Sequence, residues 1–233
     1  NKREGKASEN AILTDRVIDR PMRPLFPKDY RNDVTLENLV MSVEQDCSPE
    51  LTAMLGASIA TSISDIPFDG PISTTQVGLI GGEFVFNPTA AQKEVSELAL
   101  TVASTKEKVI MIEAGANEVP EDKMIEAIFA AHELNQKVIA FFDTIVAECG
   151  KPKHEYQSFA VPQELFDAIQ KIVTPEEMEE AVFTDDKQTR EENIRVITDK
   201  LAEAFADNEE WLDKLGEAVY QYQKKTVRKM ILK

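Results

Sequence analysis

The chain has 233 residues, 42% of them hydrophobic, and a formal net charge of −16 at pH 7. That length suits one large or two ordinary domains with real cores, and no run of eighteen apolar residues offers a membrane span. Cys47 and Cys149 lie about a hundred residues apart with no CxxC or Cys/His spacing, which points to two buried free thiols in a reducing, cytoplasmic setting. With only His132 and His154, neither a zinc site nor a histidine-centred triad is expected, and no metal ligand set is assigned.

An acidic protein repels nucleic acid as a whole, so a local concentration of cations needs a reason. The first twenty-seven residues hold such a concentration: Lys2, Arg3, Lys6, Arg16, Arg20 and Arg23. The planar arginine fork fits phosphate oxygens two at a time, so phosphate is the first ligand to expect. This basic opening, without an initiator methionine or an apolar leader, reads as the middle of a loop in a longer protein. Ser8 can N-cap a helix over Glu9–Asp19, with Ile12, Leu13, Val17 and Ile18 as its apolar stripe. Pro21 is expected to stop that helix, and Pro24 and Pro27 to keep the exit extended. Arg16 and Arg20 share one helical face, and Arg23 follows beyond the Pro21 break. Asp15 and Asp19 are within reach of all three, so spacing alone fits a salt-bridged surface helix as well as a phosphate site.

Val34–Glu44 reads as a strand rich in Val, Leu and Met. Ser48 as cap and Pro49 in the first turn open a helix to about Ser64, whose Ala53, Gly56, Ala57, Ser58 and Ala60 allow close packing on a sheet. Val77–Ile80 and Glu83–Phe86, joined by Gly81-Gly82, form the clearest hairpin. Leu98–Ala103 and Lys108–Glu113 make a second pair. Pro120 then starts a long helix to a Gly150 cap, with Met124, Ile128, Leu134, Val138 and Phe142 among its periodic apolar positions.

Strand signals vanish after about Val161, and helices are predicted over Pro162–Val173, Pro175–Phe183, Asp186–Ala206 and Asn208–Leu232. Residues 175–233 carry 15 acidic and 10 basic groups, the composition of solvated helices. Trp211, Leu215, Val219 and Tyr222 recur as the core stripe of the last helix. Lys224–Lys233 holds five basic groups and no acid, which a helix dipole explains as well as RNA contact does. The fold class from patterning is α+β followed by a small all-α domain.

The segment Arg3-Glu4-Gly5, Ser8-Glu9, Ile12-Leu13, Arg16, Ile18-Asp19-Arg20-Pro21 and Arg23-Pro24-Leu25-Phe26-Pro27 closely resembles the first core domain of the bacterial polynucleotide phosphorylase family. Ser64-Asp65-Ile66-Pro67-Phe68-Asp69-Gly70-Pro71, Asn87-Pro88-Thr89, Glu113-Ala114-Gly115-Ala116 and Gly150-Lys151 fit the same family. The resemblance implies an RNase PH-like core (ribosomal protein S5 domain 2-like) over residues 1–153, partial, and an all-α domain over 154–233 leading to a second core. It also implies a 3′-to-5′ exoribonuclease that consumes inorganic phosphate, releases nucleoside diphosphates and runs in reverse as a template-free polymerase. A homotrimeric ring around single-stranded RNA, Mg2+ in the second core, and partners in RNA degradation such as an endoribonuclease or helicase come with it.

By the same resemblance, Lys2 and Arg3 match a basic pair that narrows the RNA channel, and Arg16, Arg20 and Arg23 a path for RNA phosphates. No catalytic residue is expected in this chain. The second core's Gly-Ser-Ser phosphate loop falls at Cys47-Ser48-Pro49, where proline has no N–H to offer. Its Asp-Met-Asp-Phe-Lys strand falls at Glu97-Leu98-Ala99-Leu100-Thr101, which keeps one acid and loses the second acid and the lysine. The chain alone is therefore expected to be inactive.

Overall fold

The computed structural model describes residue 5 and residues 7–232. The chain divides into two compact units, Asn1–Gln157 and Ser158–Lys233.

The first unit is built on an antiparallel sheet of order β2-β1-β3-β4, with β1 Ser73–Ile80, β2 Glu83–Phe86, β3 Leu98–Ser104 and β4 Val109–Ala116. Gly81 and Gly82 take φ of 58° and 84°, the left-handed pair that a two-residue hairpin between Ile80 and Glu83 requires. Period-2 alternation splits each strand between two layers. Val77, Leu79, Leu98, Leu100 and Val102 pack with Ala127 and Ala131 of α4 (Glu121–Cys149). Ile72, Ala103 and Met111 instead meet α1 (Glu9–Met22) and α2 (Pro49–Ile63) through Ile18, Met22, Met54 and Ala57.

Buried polar groups tie these layers together. Asn135 of α4 donates to the Val102 carbonyl at 3.1 Å and to Ser104 Oγ at 2.9 Å, and accepts from Thr75 Oγ1 at 2.8 Å. Ser58 of α2 donates to the Ile72 carbonyl at 2.8 Å and accepts from its N–H at 2.9 Å. The small residues of α2 thus do what small residues allow: Ala57, Ser58, Thr61 and Ser62 are all buried. Lys153 reaches back to donate to the carbonyls of Thr61, Ser62 and Ser64 at 3.2, 2.9 and 2.8 Å, where the helix dipole gathers negative charge.

Several expectations are corrected. Helix α1 runs through Pro21 to Met22, because Pro21 removes a single N–H near the helix end while Ile18, Pro21 and Met22 are buried together. Its apolar stripe is only half used, since Ile12 and Leu13 remain 51% and 53% exposed. Residues 34–44 form no strand. Their Leu39, Val40 and Met41 are 82%, 62% and 90% exposed, and among the described residues no strand is left to pair with them. Ser48 occupies the N-cap of α2 without capping it; its hydroxyl donates to the Glu50 carboxylate instead. Cys47 and Cys149 are both free, as expected, but both are exposed, one in the turn before α2 and one at the last residue of α4. Gly150 ends α4 in extended backbone with φ −66°; a Cβ there would stand 2.4 Å from the Val146 carbonyl oxygen, so close approach demands the glycine.

The second unit is all helical: α5 Gln163–Ile172, α6 Pro175–Val182, α7 Lys187–Ala204 and α8 Glu209–Ile231. A short helix in the first unit, Ala90–Val95, is α3. Leu165, Phe166, Ile169, Met178, Leu201, Leu215, Val219 and Tyr222 form the helical core, and Tyr222 donates its hydroxyl to the Val173 carbonyl at 3.1 Å. Thr174 and Asp186 cap α6 and α7 by accepting from the N–H groups of Glu177 and Thr189.

Candidate nucleic-acid interface

The expected cationic site divides sharply once its side chains are placed. Lys2 and Arg3 lie outside the described residues. Ser8 accepts from the Ala11 N–H at 3.2 Å and so fixes the start of α1, from which Arg16 and Arg20 project and which Arg23 follows as the C-cap. Arg16 is exposed and makes no hydrogen bond or ion pair among the described residues. Arg20 donates from Nη1 to Glu113 Oε2 of β4 at 3.0 Å. Arg23 grips Asp19 with both prongs of its fork, Nε to Oδ2 at 3.0 Å and Nη2 to Oδ1 at 2.6 Å. The unbroken helix through Pro21 creates this last pair, because it keeps positions 19 and 23 one turn apart.

Arg23 also borders an open groove of about 760 Å³ between α1 and the segment after it, together with Asp15, Asp19, Lys28, Arg31 and Asp33. Lys28 and Arg31 extend the cationic set beyond the residues singled out from sequence, and Arg31 Nη1 donates to the Lys28 carbonyl at 2.7 Å. Their signal was their closeness to the Arg-Pro turn, masked by Asp29 between them. The groove is mixed in sign, so its cations are partly compensated.

Of the positions matched to the second core's metal-binding strand, Glu97 stands immediately before β3 and Ala99 and Thr101 lie within it. Glu97 is exposed, and Ala99 and Thr101 line a shallow hollow of about 160 Å³ with Gln76, Pro88 and Lys93. Among the described residues no group of three His, Cys, Asp or Glu side chains stands close enough to hold a metal ion. A lone carboxylate beside an alanine and a threonine does not fit a magnesium site, which needs several oxygen donors in near-octahedral array.

A polar cluster that sequence reasoning missed joins the 26–33 segment to residues 153–156. Tyr30 Oη lies 3.2 Å from His154 Nε2, and the Tyr156 hydroxyl donates to Asp29 Oδ1 at 3.1 Å. The Tyr30 and Tyr156 rings meet edge to face with centroids 5.0 Å apart. Its members are separated by more than a hundred residues, so no local pattern announces it.

Comparison with known proteins agrees along the whole chain. A model of the 3′ exoribonuclease family, domain 1, matches residues 1–67, and its domain 2 matches residues 70–133. Residues 164–233 match a model described as "Polyribonucleotide nucleotidyltransferase, RNA binding domain". The polyribonucleotide nucleotidyltransferase of Lachnoclostridium phytofermentans is 77% identical over 100% of this chain and 34% of its own length. Those of Ruminiclostridium cellulolyticum and a Bacillus cereus strain are 51% and 46% identical, over 100% and 99% of this chain and 33% of their own lengths. No helix among the described residues is long and apolar enough to cross a membrane. The chain spans about a third of the relatives it matches, and it belongs to the polyribonucleotide nucleotidyltransferase family.

Proposed function

We propose that this chain is the RNA-guiding and ring-building third of a phosphate-dependent 3′-to-5′ exoribonuclease, an enzyme that shortens single-stranded RNA to nucleoside diphosphates and can run in reverse. The observation that carries the RNA role is Arg16, an exposed arginine on α1 with no ion pair among the described residues, in an otherwise acidic molecule. Arg20 joins it one turn later, and a phosphate could exchange for its exposed partner Glu113 at small cost, because such surface pairs contribute about 0–1 kcal/mol. Lys2, Arg3 and Arg23 complete the path in this reading.

Phosphorolysis itself is assigned to a second core beyond this chain, where Mg2+ and inorganic phosphate would bind. Pro49, Ala99 and Thr101 support that division, since none supplies the donor or ligand the chemistry needs. In this reading residues 1–153 are part of the first core and 154–233 the helical domain leading to the second. The free thiols of Cys47 and Cys149 suit a cytoplasmic, reducing location.

Replacing Arg16 and Arg20 together by Glu in the intact enzyme should weaken RNA binding and flatten its salt dependence. Unchanged affinity and slope would overturn the RNA path. The bidentate Asp19–Arg23 pair favours a second, structural reading in which these arginines serve the homotrimeric ring without touching RNA. Sedimentation of the same double variant separates the two: loss of the trimer with intact affinity per site favours assembly.

A further inference from the structure

We infer that the second half of α8 is a phosphate-binding face for single-stranded RNA, a contact of the helical unit separate from the arginines of α1. The inference rests on the reading of the chain as part of an RNA-handling enzyme. Helix α8 is polarised along its length. Its acids, Glu209, Glu210, Asp213 and Glu217, all lie in the first half, and from Ala218 to Lys233 the chain has none. Lys224, Lys225, Arg228 and Lys229 follow, all exposed.

The helix dipole does not account for them. Its effect fades within the last turn, which holds only Arg228 and Lys229. Lys224 and Lys225 sit a full turn earlier, where a cation gains little from the helix end. The arrangement also has a standing cost: Lys224 with Arg228 and Lys225 with Lys229 are like-charge pairs one turn apart, and each opposes the helix.

Lys187, Lys200 and Lys214 of the same unit pair with Glu191, Glu177 and Glu210, whereas Lys171, Arg190 and Arg195 stand singly without an ion pair among the described residues, so it is the clustering on α8 that is distinctive. None of the four α8 cations has an ion pair among the described residues, and only one acid, Glu179, lines the shallow hollow beside Lys225 and Lys229. Lys225 is held in place by the Phe166 ring, its Nζ 3.9 Å from the centroid. Four cations without an ion pair among the described residues, clustered within about two turns beside the core stripe of Leu215, Val219 and Tyr222, fit a polyanion whose phosphates repeat.

The test uses the intact enzyme and a 20-nucleotide oligoadenylate, with binding measured across a salt series. The variant replaces Lys224, Lys225, Arg228 and Lys229 by Gln, a good helix former. Single-stranded RNA loses about 0.7 of log–log salt slope per phosphate contact removed, so the slope should fall by roughly 2–3 and the affinity at least tenfold at low salt. Should the fourfold variant lose its helical circular dichroism, the Lys224→Gln/Lys225→Gln pair, away from the last turn, should still lower the slope by about 1.4. Unchanged slope and affinity in a folded variant overturn this inference and leave the α1 path standing. A wild-type enzyme that does not bind the oligoadenylate overturns both. A variant that keeps its RNA affinity but changes sedimentation also overturns it, marking the face as protein-binding.

Discussion

Arg20 and Glu113, ninety-three positions apart, meet at 3.0 Å and tie helix α1 to the edge strand β4, while Arg16, one turn earlier on the same helix, has no ion pair or hydrogen bond among the described residues. The two arginines are equivalent by spacing and different in electrostatic state. That difference makes the RNA path separable by single substitutions. Arg16→Ala should remove a phosphate contact outright, lowering the salt slope of RNA binding by about 0.7. Glu113→Gln should release Arg20 and raise affinity for single-stranded RNA two- to threefold at low salt, since an exposed pair is worth under about 1 kcal/mol. Arg23→Ala, which only frees Asp19, should have the smallest effect. Fluorescence anisotropy at several salt concentrations measures all three, and an equal loss from Arg16→Ala and Arg23→Ala would remove the distinction drawn between them.

Glu97 provides the corresponding check on chemistry. It is the only acid kept in the segment matched to the second core's metal site, and it is exposed immediately before β3. Glu97→Gln in the intact enzyme should leave kcat for phosphorolysis of oligoadenylate within about twofold, because no reacting group depends on it. A loss of a hundredfold or more would place catalysis in this half.

Regular elements were legible wherever a local rule decided them. The Gly81-Gly82 hairpin, the small-residue helix from Pro49 and the four helices after Pro162 all follow from turn chemistry, caps and apolar period. Failures came where the deciding partner was distant. Val34–Glu44 has strand composition, yet pattern specifies a willingness to pair and cannot supply the neighbouring strand. Pro21 breaks an isolated helix, but here burial of Ile18 and Met22 outweighs one lost hydrogen bond. The site followed the same division. Arg16, Arg20 and Arg23 were identifiable by type and spacing, whereas Glu113 as the partner of Arg20 was invisible without tertiary structure. Of the two nearby acids, Asp19 pairs with Arg23 at the C-cap of α1, and Asp15 pairs with none of the three arginines among the described residues.

Asn135 tests the core between α4 and the sheet. It is fully buried, and its amide satisfies Thr75, Ser104 and the Val102 carbonyl at once. Asn135→Leu keeps the approximate volume but strands two hydroxyls and a carbonyl in a dry interior. Each orphaned group costs about 1–3 kcal/mol, partly recovered by apolar burial, so a net loss of roughly 2–4 kcal/mol is expected. Urea denaturation should show a lower midpoint at unchanged m-value. An unchanged midpoint would mean that the network relaxes around the leucine.

Asp186 provides a pH-dependent test in the helical unit. Its carboxylate accepts from the Thr189 N–H and from the Thr189 hydroxyl, both at 2.7 Å, and these bonds, the backbone one foremost, hold its pKa below the ordinary value of 3.8. A carboxyl whose pKa is depressed by folding contributes stability that is complete above its unfolded pKa and is lost as pH falls through the folded one. Asp186→Asn retains an oxygen that can cap α7 but cannot titrate. The variant should therefore melt below wild type at neutral pH, with the gap constant down to roughly pH 5 and closing as the solution is acidified past the ordinary carboxylate value. Thermal midpoints followed by helical circular dichroism from roughly pH 7 to 2.5 record the difference, in which the titration of the remaining carboxylates cancels. A gap that stays constant through that range would show that the Asp186 charge contributes nothing to the cap.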